Sequence, residues 1–204
     1  MPLSSHPSKP ARVLITLSLT ALLAACATPS APVSKTVYDF GAPTVQATES
    51  PADLPPLALA EIQTAWGQSS TAMQYRLAYA NPQELRPYAL AHWSMPPAQL
   101  VAQRVRTVLS QQRPVVSLGD STTAFVLQIA LEQFGQTFES PKASTGTVQL
   151  RATLLKGDQL VAQRDFVAVR PAPSNDAAGG ARALSEATQA TATELATWLT
   201  ERMR

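Results

Sequence analysis

The sequence is poor in the residues that most often carry catalysis or bind metals. Its 204 residues include one cysteine, Cys26, and two histidines, His6 and His92. A single cysteine forms no intrachain disulfide and no thiolate metal cluster, so the fold must rest on its hydrophobic core. No glycine-rich phosphate loop, HExxH, GxSxG or CxxC motif occurs. These absences argue against the familiar hydrolases, and we expect no bound cofactor and no metal.

Charge is scarce and nearly balanced. Charged residues make up 15% of the chain, with 16 Lys or Arg against 14 Asp or Glu. Two of the basic residues, Lys9 and Arg12, precede an N-terminal apolar segment; without them, 14 basic residues face 14 acidic ones. A neutral domain has no electrostatic attraction for nucleic acid or for anionic membrane surfaces, and we expect no nucleic-acid partner.

That apolar segment, residues 13–25, ends in the sequence Leu23-Ala24-Ala25-Cys26. Its 13 residues suit the hydrophobic region of a signal peptide but are too few to span a bilayer, which needs about 20. The sequence therefore predicts a secretion signal over residues 1–25. The alternative is an ordinary signal peptide that happens to end near a cysteine.

The last four residues of this segment resemble the lipobox of bacterial lipoproteins. The resemblance implies that the thiol of Cys26 takes a diacylglycerol and that Cys26 becomes the first residue of the mature protein. Two or three acyl chains anchor a protein far better than one, because each buried CH₂ contributes about 0.8 kcal/mol. In such lipoproteins an Asp after the cysteine retains the protein at the inner membrane. Ala27 stands there instead, which implies the outer membrane, with the domain facing the periplasm.

The mature chain has room for one domain and a tether. Residues 26–36 are small, polar and proline-containing, which predicts a flexible tether from the lipidated cysteine. Residues 37–204 are then the periplasmic domain. Residues 41–56 contain several prolines and predict a loop.

Alternation of apolar and polar residues predicts most of the secondary structure as strands. Strands are expected at residues 37–40, 73–79, 86–93, 125–131, 148–154 and 159–170, and residues 57–66 fit either a strand or a helix. Glu139 is expected in a loop after the fourth of these strands. Lys156-Gly157-Asp158 predicts a hairpin turn. In the strand that follows, Phe166 points to one face and Val167 and Val169 to the other, which predicts that both faces are covered.

Two amphipathic helices are expected. The first covers residues 97–113 and is ended by Pro114. The second follows possible caps at residues 174–176 and runs to near Arg204, with Gly179 and Gly180 each weakening it by about 1 kcal/mol relative to alanine. The order of elements predicts an α/β fold of the α+β type. We expect a single domain with a mixed, largely antiparallel sheet and two main helices packed on it.

Few residues stand out as candidates for a functional site. His92 is a lone histidine, and Asp120 lies in a Gly-Asp-Ser turn whose side chains can simply satisfy backbone groups. Four aromatic residues close together in the chain could line a groove for a partner or a lipid: Tyr75, Tyr79, Tyr88 and Trp93. The alternative is that they pack in and around the core with their polar tips satisfied.

The domain also resembles the ABC-type transport auxiliary lipoproteins, a family that includes the PqiC-like proteins. The resemblance covers most of residues 37–204. It rests on Tyr38 and Phe40 in a short first strand, on residues 88–97, where a tyrosine, a tryptophan and a proline-led helix follow in order, and on the Trp198-Leu199 pair in an alanine-rich last helix.

The resemblance implies a non-enzymatic auxiliary component that works with MCE-domain proteins and an ABC permease and ATPase to move lipid between membranes. It supplies no catalytic residues, and only Cys26 is carried over, as the site of lipidation. MCE assemblies are rings, so a homo-oligomer is expected by analogy. Two alternatives stay open: an envelope-integrity or outer-membrane assembly lipoprotein that binds only proteins, and a periplasmic enzyme that uses His92 or Asp120.

Overall fold

The computed structural model describes residues 34–42, 54–64, 70–119 and 124–203. The predicted signal, Cys26 and most of the predicted tether lie outside these ranges. Residues Lys35–Arg204 form one unit. Among the described residues, no helix combines the length and the apolar character needed to cross a membrane.

Nine strands and two helices make up the described part of the chain. In chain order they are β1 (Thr36–Tyr38), β2 (Leu57–Leu59), β3 (Gln63–Thr64), β4 (Ala72–Leu77), β5 (Leu85–Trp93), α1 (Pro97–Ser110), β6 (Val115–Ser117), β7 (Phe125–Ser140), β8 (Ala143–Lys156), β9 (Gln159–Pro171) and α2 (Ala177–Arg202).

Three long antiparallel strands form the centre of the sheet. β7 pairs with β8, and β8 pairs with β9. The turn between β8 and β9 contains Gly157 at φ +59°, a conformation that glycine adopts without strain. The second edge of β7 is shared by three parallel partners, with β2 at its start, β3 in its middle and β4 near its end. β5 and β1 continue the sheet beyond β4, and β6 continues it beyond β2.

The core lies between one face of this sheet and the two helices. Alternate residues of β8, from Ser144 to Leu154, are buried, as are the residues of α2 that face them. Phe166 of β9 packs edge-on against Trp198 of α2, with 5.6 Å between ring centroids. Full burial of a leucine or phenylalanine side chain stabilises the fold by about 1.5–3 kcal/mol, so this layer supplies most of the driving force. The mixed sheet with two helices confirms the predicted α+β class.

The return strand is not covered on both sides as predicted. Phe166 is 1% exposed, but Val167 and Val169 on the opposite face are 54% and 50% exposed. Both helices pack on one face of the sheet, so the other face of β9 stays open. Alternation in the sequence shows that two faces differ, but it does not show how many layers pack on them.

Several boundaries also differ from the prediction. β7 is longer than expected and includes Glu139, and β6 was not predicted. Residues 57–66 contain two short strands rather than one element, with residues 65–69 outside the described part. α1 ends at Ser110, before Pro114. The chain turns there and buries Arg113 completely, with its Nη2 donating to Thr200 Oγ1 at 3.1 Å.

Gly146 of the sheet and Gly180 of α2 allow the sheet and the helix to approach each other closely. A Cβ at Gly146 of β8 would lie 2.9 Å from the backbone of Ala183 and Leu184 in α2, and a Cβ at Gly180 would lie 2.0 Å from Gln136 Oε1. Gly180 weakens the helix, as predicted, but it also leaves room for the side chain of Gln136, which a larger residue at this position would displace.

We expect Gly146→Ala to lower the free energy of unfolding by about 1–3 kcal/mol, because the added methyl must push α2 away from the sheet. Gly135→Ala is the matched control, since it lies in the neighbouring strand and its Cβ would meet no atom within 4 Å. That variant should change stability by less than about 0.5 kcal/mol. Urea denaturation of both variants measures the difference, and equal effects would contradict this account of the helix contact.

Candidate functional site

The four predicted groove aromatics do not form one surface. Tyr75 and Tyr88 come together, with ring centroids 4.5 Å apart. Trp93 is 1% exposed and packs edge-on against Phe134 in the core. Tyr79 is 48% exposed and lies in the turn after β4. The structure thus favours core packing for Trp93 and leaves only the Tyr75–Tyr88 pair as a shared feature.

A buried polar network begins at this tyrosine pair and reaches the start of α2. The hydroxyl of Tyr88 donates to Gln136 Oε1 at 2.9 Å. Gln136 Nε2 donates to Ser144 Oγ at 2.9 Å and to the carbonyl oxygen of Asp176 at 3.3 Å. Ser144 in turn donates to Asn175 Oδ1 at 3.3 Å. Gln136 is 1% exposed and Ser144 is 4% exposed, so these bonds satisfy groups that are removed from water.

Burial raises the pKa of the half-buried Tyr88 phenol above its ordinary value. The phenol therefore stays neutral and stays a donor at any physiological pH. The hydrogen bond from Tyr88 to Gln136 therefore does not change over the physiological pH range.

Asp176 caps the N-terminus of α2 beside this network. Its Oδ1 accepts hydrogen bonds from the backbone N–H of Gly179 at 2.8 Å and from the hydroxyl of Ser174 at 2.7 Å. These two bonds, the first of them above all, hold the pKa of Asp176 below its ordinary value. The carboxylate also lies at the positive end of the helix dipole, which favours the charged form.

A shallow cleft of about 290 Å³ opens between β1, β5 and the start of α2. Its walls combine the tyrosines of β1 and β5, an exposed leucine and the capping carboxylate: Tyr38, Tyr88, Leu90 and Asp176. Two further grooves, of about 370 and 400 Å³, flank α1 and share Arg106. Mixed apolar and polar walls of this kind suit an amphipathic segment of a partner.

The candidate residues for enzymatic chemistry are not brought into a recognisable constellation. His92 lies in β5, opposite Val37 of β1, and its buried Nδ1 has no hydrogen-bond partner among the described residues. Asp120 lies outside the described residues. Within the described ranges, no group of three or more His, Cys, Asp or Glu side chains could hold a metal ion.

Gln136 and Ser144, which join the sheet to α2, were not predicted as site residues, and their partner Asn175 was expected only as a possible helix cap. A signal was present at Gln136, because it holds an inward position of β7 between Phe134 and Phe138, where an apolar residue is expected. A polar residue in such a position needs buried partners.

We expect the contribution of Asp176 to depend on pH. Because its pKa is lowered on folding, its stabilisation is present above the unfolded value, near 3.8, and is lost as the pH falls through the lower folded value. The free energy of unfolding of the wild type should therefore fall relative to that of Asp176→Asn in acid, while the two stay close at neutral pH.

The measurement is urea denaturation of both proteins over a pH series, in which the other carboxyl groups titrate equally and cancel. Asp176→Ala is the control for the loss of the cap and should cost about 1 kcal/mol at neutral pH. A constant difference between wild type and Asp176→Asn across the series would contradict the assignment.

Comparison with known proteins gives one family and several solved structures. A family model described as ABC-type transport auxiliary lipoprotein component matches residues 38–196. A crystal structure of a protein from Xanthomonas campestris is 28% identical, with a TM-score of 0.66, and the match covers 80% of this chain and 93% of that one. A hypothetical protein from Chlamydia trachomatis shares the fold at 8% identity and a TM-score of 0.52, with 74% and 98% covered. No curated protein matches the chain.

Proposed function

The chain belongs to the ABC-type transport auxiliary lipoprotein family, and we propose that it is a non-enzymatic component of an ABC transport system that moves lipid between the two membranes of a bacterial envelope. The observation that carries the proposal is the family match, which spans the domain from β1 into α2. The clefts beside α1 and α2 support it, because they offer docking sites without a catalytic constellation.

The proposal includes a lipid anchor at Cys26 and a position on the periplasmic face of the outer membrane. Its support is the Leu-Ala-Ala-Cys sequence and the Ala27 that follows it. The described domain begins only a few residues later, so the anchor and the domain are joined by a short tether. The family is described as a lipoprotein component of ABC-type transport, which supports a membrane-anchored envelope protein.

We expect the full-length protein to be found in the outer-membrane fraction of lysed cells and to incorporate labelled palmitate, because acyl chains at Cys26 supply the attachment. Cys26→Ala should abolish the labelling and release the protein from the membrane fraction. Ala27→Asp is the matched variant, which should keep the label and move the protein to the inner membrane. Palmitate labelling of Cys26→Ala would overturn the anchor.

The proposed partners are an MCE-domain protein and the permease and ATPase of the same transporter. A neutral domain that offers grooves and exposed apolar side chains is suited to docking rather than to long-range electrostatic capture. A ring-shaped partner would favour a symmetric homo-oligomer of the lipoprotein.

Affinity purification of the tagged full-length protein from crosslinked cells should recover an MCE-domain protein together with an ABC permease or ATPase. The control bait carries residues 1–36 fused to an unrelated domain, which reports proteins that bind only the anchor. Recovery of only outer-membrane assembly or peptidoglycan-linked proteins, at equal bait yield, would instead support an envelope-integrity lipoprotein that binds protein partners only.

A further inference from the structure

An interruption in the pairing of β4 and β5 borders the cleft at the start of α2. The register shifts between Ala72 and Gln74, where one residue of β4 stands opposite the four residues 88–91 of β5. Irregularities of this kind redirect side chains and are over-represented at sheet edges and beside active sites. Both Tyr88 and Leu90 of the irregular segment line the cleft, and Leu90 is 52% exposed.

The cleft carries a single charge, and that charge is negative. Asp176 is the only charged residue among the described residues that line the cleft. Hydrogen bonds, above all the one from the backbone N–H of Gly179, hold the pKa of this carboxyl below its ordinary value, so it is ionised at physiological pH. Within the described part of the chain, no basic side chain forms an ion pair with it. Asp176 is therefore a carboxylate in a cleft without a neighbouring cation.

The polar groups around this carboxylate are placed to accept hydrogen bonds rather than to donate them. The hydroxyl proton of Tyr88 is donated to Gln136, so the oxygen of Tyr88 has only lone pairs left to offer. A helix N-terminus can bind an anion through its free N–H groups, but the N–H of Gly179 already donates to Asp176. The cleft therefore favours a positively charged donor over an anion.

The remaining walls suit the apolar part of a basic side chain. Tyr38 of β1 and Tyr88 of β5 both line the cleft, and a tyrosine ring attracts a cation that lies over its face. The exposed Leu90 adds aliphatic surface. Lysine and arginine pack their methylene stems on such surface while the charged head stays among polar groups.

We propose that this cleft binds a lysine or arginine side chain of a partner protein, with the cationic head beside Asp176 and the stem along Leu90. A protein side chain fits better than a lipid headgroup. An ethanolamine headgroup brings a phosphate within two carbon atoms of its ammonium group, and no basic residue among the described lining residues receives that phosphate. The identity of the partner rests on the proposed function, whereas the recognition of a cation does not.

Titration with a small lysine derivative tests the cation site. Full-length protein in detergent micelles, with isotope-labelled leucine and alanine methyl groups, is titrated with Nα-acetyl-lysine N-methylamide and followed by NMR. We expect saturable shifts of the methyl resonances of Leu90, Ala177 and Ala178, with a dissociation constant in the millimolar range. The norleucine derivative has the same aliphatic chain without the charge and should bind about ten-fold more weakly.

Two variants test whether the carboxylate is responsible. Asp176→Asn keeps a residue that caps a helix well but loses the charge, so the lysine derivative should bind about five-fold more weakly. Glu186→Gln is the matched control, because it removes the same charge from an exposed position of α2 outside the cleft, and binding should not change. The cation site would be overturned by a lack of saturable shifts, by equal binding of the lysine and norleucine derivatives, or by equal binding to wild type and Asp176→Asn. Stronger binding of phosphoethanolamine than of the lysine derivative would overturn the choice of a protein side chain.

The same variants separate this inference from the proposed transport function. In affinity purification from crosslinked cells, the Asp176→Asn bait should recover about three-fold less MCE-domain protein than the Glu186→Gln bait. Equal recovery by the two baits would overturn the docking role of the cleft. Absence of an MCE-domain protein from every bait, wild type included, would overturn the proposed function, and the titration would still decide whether the cleft binds a cation.

Discussion

The buried amide of Gln136 holds the last helix against the sheet, and the arrangement of the domain depends on that contact. Its side chain receives a hydrogen bond from Tyr88 of β5 and gives one to Ser144 of β8 and one to the start of α2. An unsatisfied buried amide would cost about 1–3 kcal/mol, so all three partners must stay in place together. Gly180 leaves the space that this amide occupies. The network thereby fixes where α2 begins and which way it crosses the strands.

The helices cover one face of the sheet, and the other face carries exposed ion pairs. On that face Arg151 bridges Glu132 of β7 and Asp165 of β9, at 3.3 and 2.8 Å. Ion pairs this exposed contribute little to stability, since water and salt screen them. They do, however, favour the observed register of β7, β8 and β9 over a slipped one. The exposed valines of β9 lie beside these pairs, so this face remains an open sheet surface with mixed character.

The long strands were predictable because their alternation continues over many residues, and the hairpin turn was marked by Gly157. The three-residue β6 was not predictable, since so short a run carries too little periodicity, whereas β1 lies at a segment where a short strand was expected. The aromatic cluster was misleading for a different reason. Tyr75, Tyr88 and Trp93 are close in the chain, but the register between β4 and β5 shifts between Ala72 and Gln74. With this irregular pairing, Trp93 lies in the core, whereas Tyr75 and Tyr88 lie together near α2. The register shift cannot be predicted from the pattern of residues in either strand alone.

The proposed lipid anchor would reduce the entropy that the domain loses when it docks with a partner. Docking of two proteins from free solution loses translational and rotational freedom, which opposes binding by several kcal/mol. Under the proposed anchor at Cys26, the eight residue steps to Ser34 reach at most about 29 Å, so the domain would stay in a thin layer beside the membrane and would meet the proposed partner at a high effective concentration. The family is described as an auxiliary component of ABC-type transport, and confinement beside the membrane is a contribution that such a component would make without any catalytic step.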